Sequence, residues 1–356
     1  MNLLETDFVK TLKKEKTDSV SIYCPGYPEL DFLKKYQDLY NIEIGPTNLT
    51  LIEKNYEIIK KMGFDAISLW DFRRRKGGYQ ISKQVRVDGW GRLYKNDWYL
   101  WDGVFKDEKT IENWEHLQLP SKENLRLLEK FLPKLKNKLN LVLSLPGLFE
   151  KTWQSMGFIY FSKCLKKNNL SVIQKVVDFF SDYLERLILT LENVGADLFL
   201  VADDCGYKNN EFIPKAMWKK LFSENYHNIV NSIHDHNKLV ILHSDGYVSN
   251  LIDIFIEIGF DAIQSLEPSA GVDIISLFEE YNNRICFIGN LDISFLAYGT
   301  PIQIKNYVIK LISKAEETNT PLIISPTQQI DAIVKPENLR IMIETAKNYN
   351  LLKNNF

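Results

Sequence analysis

Residues 239–268 read LVILHSDGYVSNLIDIFIEIGFDAIQSLEP, and this stretch decides the fold. It opens on the apolar run Leu239 to His243, too short for a helix and apolar enough to be a strand covered on both faces. Residues 249–258 then space their apolar side chains at helical steps. Gly259 follows as a C-terminal cap, and residues 261–265 return to strand character. Strand, helix and strand in so few residues make a βαβ unit, the building block of parallel sheets.

The same rhythm runs outward in both directions. Strand-like runs recur at residues 20–24, 65–70, 139–145, 197–202, 285–289 and 322–325. Helical patterns fill residues 171–194, 214–236, 273–281, 302–317 and 336–348. Pro214, Pro301 and Pro336 stand where a first helical turn accepts proline, and Gly195, like Gly259, stands between a helix and a strand. Eight strands with intervening helices predict an α/β fold, a (β/α)8 TIM barrel, spanning residues 1–356 as one domain. The alternative is a doubly wound open sheet, but the GxGxxG cue is missing.

Residues 72–120 break the rhythm between the second and third strands. They are rich in aromatic and charged residues and alternate as Val85-Arg86-Val87-Asp88, which predicts a hairpin. Following a strand, this insertion is expected over the barrel mouth as a lid or pocket wall. The plainer alternative is an extra hairpin packed by Trp90, Trp98 and Trp101.

Composition narrows the function classes. The chain has 356 residues, 45% hydrophobic and 25% charged, with a net charge of -2. That is ordinary globular usage and gives no electrostatic pull toward nucleic acid or anionic membrane. No apolar run is long enough to span a bilayer. Residues 1–16 lack the apolar core of a signal peptide, so a cytoplasmic location is expected. Cys24, Cys164, Cys205 and Cys286 are widely spaced, with no CxxC pair, which argues against a disulfide framework.

In a barrel, chemistry sits at the C-terminal strand ends. Asp71 follows the second strand, Asp204 and Cys205 the fourth, His243 and Asp245 the fifth, Glu267 the sixth, Asn290 the seventh and Gln328 the eighth. Singly, each fits a turn or a satisfied core histidine. Together they form a ring of titratable and amide groups at one mouth, which favours function. Asp204, His243, Asp245, Glu267, Asn290 and Asp71 are therefore the catalytic candidates. Arg73, Trp90, Tyr207 and Gln328 are candidates for substrate contact. The His243-x-Asp245 spacing can aim a nitrogen and an oxygen at one ion, with Glu267 and Cys205 as further metal ligands. Without a metal, Asp245 could orient His243 for acid–base work.

The sequence resembles the uroporphyrinogen decarboxylase superfamily, which includes corrinoid-dependent methyltransferases. The motifs that carry this are PGLFEKTW from Pro146, GADLFLVADDCG from Gly195, the run from Phe212 ending in LVILHSDG, GFDAIQSLEP from Gly259, ICFIGNLD from Ile285, TPIQIKNYV from Thr300, and ISPTQQI with KPENLRIMIE. The resemblance implies a (β/α)8 barrel. The decarboxylases carry an arginine-bearing segment after the first strand, where this chain reads CPGYPELDFLKKYQ without arginine. Their catalytic aspartate falls loosely at Asp71. The thiol-active methyltransferases bind zinc through a His-x-Cys pair and a later Cys. Here His243 matches the histidine, Asp245 stands at the first cysteine and Gln328 roughly at the second.

These readings lead to one expectation: methyl transfer between a small methoxy, hydroxyl or thiol compound and a corrinoid protein. Zn2+ is expected to bind weakly or not at all, and the corrinoid to be carried by a partner protein. Homodimer formation is left open. The alternatives are a decarboxylase-like enzyme acting on a tetrapyrrole or polycarboxylate, and a non-catalytic ligand-binding member.

Overall fold

The computed structural model describes residues 5–40, 52–69, 77–136 and 139–353. Eight parallel strands lie side by side in chain order: β1 (Tyr23–Cys24), β2 (Ala66–Leu69), β7 (Asn140–Pro146), β8 (Leu198–Ala202), β9 (Leu239–Ser244), β10 (Ala262–Ser265), β11 (Cys286–Leu291) and β12 (Leu322–Pro326). A parallel bridge from Ile22 to Ile324 joins the last strand to the first, so the sheet curls into a TIM barrel. The predicted fold class is the observed one, and each strand lies within one of the predicted runs or overruns its end by one or two residues.

The two faces of each strand bury different things. Outward residues such as Phe199, Val201, Val240, Leu242, Ile263 and Phe287 pack under the helices. Inward residues Tyr23, Ala66, Val142, Leu200, Ile241, Ala262, Ile288 and Ile323 form a separate apolar plug inside the barrel. One step further along the strands, the register brings Ala202, His243 and Gln264 side by side, all facing the lumen. The barrel is apolar at its lower levels and polar at its C-terminal mouth.

The helices form for local reasons. Leu170–Asn193 buries Ile173, Val176, Val177, Phe180, Leu184, Leu187 and Leu191, a stripe at three- and four-residue steps. Thr300 and Gln303 form a reciprocal capping box across Pro301, worth about 1 kcal/mol at the start of Pro301–Glu317. Pro214 stands as the cap of Lys215–Asp235 rather than inside its first turn. Gly259 ends Ile252–Ile258 at φ 103°, a left-handed conformation that costs glycine little. Among the described residues, no helix is long and apolar enough to cross a membrane.

The insertion is larger than a hairpin. It is a four-stranded antiparallel meander of β3 (Gly78–Gln80), β4 (Val85–Asp88), β5 (Arg92–Lys95) and β6 (Trp98–Gly103). It docks on the helix Leu148–Met156, where Trp101 stacks on Trp153 at 5.5 Å. Gly103 runs so close to the Ser155 carbonyl that any Cβ there would collide with it. Arg92, paired with Asp88 at 2.7 Å, also donates to Gln154 at 3.0 Å, tying the sheet to that helix. Trp90 is buried against Phe180 and Tyr183 of Leu170–Asn193. This corrects its expected place as a substrate contact, because its ring anchors the insertion to the helical layer.

Candidate functional site

β8, β9 and β10 build the site. His243 sits on β9 beside Ala202 of β8 and Gln264 of β10. The loop after β8 brings Asp204, and the residues after β9 bring Asp245. The ligand atoms of Asp204, His243 and Asp245 all lie within 4.8 Å of one another. His243 Nε2 is 3.7 Å from Asp245 Oδ1 and 3.9 Å from Asp204 Oδ1.

Each group is held. Asp204 Oδ1 accepts from the Asp245 backbone N–H at 3.1 Å, and Ser265 Oγ donates to Asp245 Oδ1 at 2.8 Å. His243 Nδ1 contacts Gln264 Oε1, while Gln264 Nε2 donates to the carbonyl of Thr327 at 3.0 Å. Glu267 stands behind this group. Its Oε2 accepts from the Gly246 N–H at 2.7 Å, and its Oε1 accepts from Gln328 at 2.5 Å.

Among the described residues the charges do not balance. Burial opposes the charge on His243, but Asp245, Asp204, the Gln264 hydrogen bond and Glu267 outweigh it and raise the imidazole above its ordinary range. Burial pushes the Asp245 carboxyl up to about 6, with Asp204 and Glu267 adding to the rise against the pull of His243. Three carboxylates facing one imidazole make a site that gains from a bound cation.

The donors fit a divalent metal. Zinc bonds to nitrogen and oxygen near 2.1 Å imply tetrahedral ligand separations of about 3.4 Å. The two separations from His243, 3.7 and 3.9 Å, need to close by a few tenths of an ångström, and all three ligand atoms lie within 4.8 Å of one another. One nitrogen and two carboxylates is a hard set that also suits manganese or iron. A cavity of about 430 Å³ opens beside it, lined by Pro25, Tyr27, Ser68, Leu69, His243, Asp245, Gln328 and Gln329.

The other sequence candidates take different places. Cys205 is fully buried. Its Sγ points at the Asp203 carbonyl at 3.2 Å, and burial pushes its thiol well up. It is therefore corrected from ligand to packed turn residue. Glu267, expected as a further metal ligand, lies outside the three-residue cluster, and its two oxygens accept from Gly246 and Gln328. Asn290 spends its amide on the Leu266 carbonyl at 3.1 Å and the Tyr307 hydroxyl at 2.9 Å, the latter from the outer helix Pro301–Glu317. Tyr207 is 60% exposed on the rim, its carbonyl taken by the Tyr247 N–H. Gln328 lines the cavity and holds Glu267. Asp71 and Arg73 lie outside the described residues.

The sequence candidates leave out two residues. Asp203, beside Asp204, is fully buried and accepts from the Phe149 and Glu150 N–H groups at 3.0 and 2.6 Å and from the Tyr226 hydroxyl at 2.5 Å. It caps the helix Leu148–Met156 from the neighbouring strand, and burial pushes its carboxyl up to about 7. Gln264 is the other, although an amide inside the apolar run AIQS is a visible signal.

Residues 105–349 match the family described as Uroporphyrinogen decarboxylase (URO-D). The chain belongs to this family. A solved methyltransferase from Methanosarcina mazei superposes with a TM-score of 0.69 at 15% identity, over 98% of this chain and 100% of that one. A B12-independent methionine synthase from Shewanella sp. W3-18-1 gives 0.49 at 13% identity, over 94% and 97%. A β-glycosidase from Thermosphaera aggregans gives 0.49 at 12%, over 93% and 96%. At these identities the likeness concerns the barrel. No curated protein matches the chain.

Proposed function

We propose that the chain is a methyltransferase of the URO-D family that moves a methyl group between a small substrate and a corrinoid carried on a partner protein. The observation that carries this is the convergence of Asp204, His243 and Asp245 beside the cavity. His243 stands where the resemblance places the histidine of a metal-binding His-x-Cys pair. The Methanosarcina mazei methyltransferase, similar over its whole length, supports the same reading.

Asp204, His243 and Asp245 would hold the metal, which when bound supplies Lewis acidity toward the substrate's heteroatom. The substrate binds in the cavity, with Tyr27, Ser68, Gln328 and Gln329 as hydrogen-bonding walls. With the Asp245 carboxylate and the Gln328 amide in the thiolate places, the harder ligand set favours an oxygen substrate, hydroxyl or methoxy, over a thiol. The described lining contains no Lys or Arg. A polycarboxylate such as a tetrapyrrole would call for bidentate cations there.

The test is methylation of free cob(I)alamin by the full-length protein with methanol, a methoxyarene, methanethiol or a methylamine, read as the methylcobalamin absorbance. Metal-dependent turnover with an oxygen donor is expected, and His243→Ala should lower it at least about 100-fold. No turnover with any donor, combined with decarboxylation of uroporphyrinogen, would overturn the proposal.

A further inference from the structure

We infer that Gln264 is a positioning residue that fixes the tautomer of His243, so that its Nε2 lone pair faces Asp204 and Asp245. Its relevance to metal holding rests on the proposed function above, but the tautomer itself does not.

The argument starts from register. Gln264 and His243 are direct partners across the β9–β10 ladder, so both side chains leave the sheet on the lumen side. Gln264 is fully buried, and an amide there must find partners for both ends. Its Nε2 lies 3.0 Å from the Thr327 carbonyl and 3.5 Å from the Pro326 carbonyl, at the end of β12. Carbonyl oxygens accept only, so the group facing them must be the donating NH2. Turning the amide over would set oxygen against oxygen and break this bond. The Gln264 oxygen therefore faces His243 Nδ1. An amide oxygen accepts only, so Nδ1 carries the proton and donates it.

The neutral ring then has an unprotonated Nε2, the atom that lies 3.7 Å from Asp245 Oδ1 and 3.9 Å from Asp204 Oδ1. Left to itself, a histidine facing two carboxylates would prefer the opposite tautomer, with Nε2–H donating to one of them. That form cannot ligate a cation through Nε2. Gln264 reverses the preference by offering an acceptor on the other side. A metal-ligating histidine commonly has its second nitrogen fixed in this way, and losing such a partner costs about 10–100-fold in metal affinity.

The test is 15N NMR of 15N-histidine-labelled, metal-free full-length protein at a pH where His243 is neutral. The His243 signals are identified by their absence in His243→Ala. The wild type should show a protonated Nδ1 and an unprotonated Nε2. Gln264→Leu should shift His243 toward the Nε2–H form and weaken Zn2+ or Mn2+ binding about 10–100-fold. Gln264→Glu should restore the wild-type tautomer when the carboxyl is protonated, because its O–H then donates to the Thr327 carbonyl and its carbonyl oxygen faces Nδ1 as an acceptor. The wild-type spectrum alone tests the tautomer, even if a variant fails to fold. A wild-type His243 with Nε2–H, or an unchanged tautomer in a folded Gln264→Leu, would overturn the inference. A wild type with protonated Nδ1 that binds no metal would uphold it and refute the metal-holding proposal instead.

Discussion

Carboxylates ring both ends of this barrel, and the two rings are built differently. At the N-terminal end, Asp65, Asp197 and Asp261 each stand one residue before a strand, and each has its own basic partner. Asp65 pairs with Lys347 at 2.6 Å and accepts the Ile22 N–H at 2.9 Å. Asp197 pairs with Lys238. Asp261 pairs with His234 at 3.0 Å and accepts the Val240 N–H at 2.7 Å. At the C-terminal mouth, Asp204, Asp245 and Glu267 share the single imidazole of His243. A carboxylate matched by a cation and a backbone donor ties strands and helices together. Carboxylates left in excess around one imidazole repel one another and serve the fold poorly. In a barrel the bottom face carries stability and the top face carries chemistry, and here charge balance among the described residues distinguishes the two.

Asp203 is the sharpest challenge to that contrast, because it belongs to the mouth by position and to the scaffold by bonding. Asp203→Ala should cost about 3–5 kcal/mol, since two backbone N–H groups and the Tyr226 hydroxyl lose a buried acceptor. Thermal and urea unfolding would read this. Its neighbour should behave oppositely. Asp204→Asn should leave stability within about 0.5 kcal/mol, because Asp204 is half exposed and asparagine can still accept from the Asp245 N–H. It should nonetheless weaken divalent-metal binding at least about tenfold in a calorimetric titration. If the two variants behave alike, charge balance does not distinguish scaffold from site.

At the other end, Asp261→Ala should cost about 1–2 kcal/mol of stability and leave metal affinity untouched. The smallest effect concerns pH. The hydrogen bond from His234 to Asp261 raises the His234 pKa above its ordinary 6.5, against the opposing effect of partial burial. A histidine raised in the folded state stabilises fully below the unfolded value, and the gain fades as pH rises through the folded one. His234 is one-third exposed, so the gain is screened to about 0.5 kcal/mol. His234→Gln should flatten the stability profile above pH 6.5, as unfolding midpoints across that range would show.

The barrel was legible because its strands are covered on both faces and so are written as continuous apolar runs. The polar strand ends were legible for the same reason, as interruptions of those runs. The bottom ring was also written in the sequence, as Gly-Phe-Asp at Gly63, Gly-Ala-Asp at Gly195 and Gly-Phe-Asp at Gly259, but three short matches far apart do not read as an internal repeat. Other features depend on contacts that spacing cannot supply. Trp90 looks like a lid residue until Phe180 and Tyr183 arrive from a helix far along the chain. Asp203 and Asp204 are identical side by side, and the helix start at Phe149 and Glu150 together with the Tyr226 hydroxyl tells them apart. Cys205 reads as a ligand by position, yet its side chain turns into the core. Gln264 stays silent because its meaning depends on pairing with His243 across the ladder.

The central claim, that Asp204, His243 and Asp245 form a cation site, is tested most directly by calorimetric titration of chelator-stripped, full-length protein with Zn2+ and Mn2+. The account predicts one equivalent of metal bound by the wild type, binding abolished in His243→Ala, and binding nearly unchanged in Cys205→Ser. A wild type that binds neither metal, or binding that survives His243→Ala and disappears with Cys205→Ser, would contradict it.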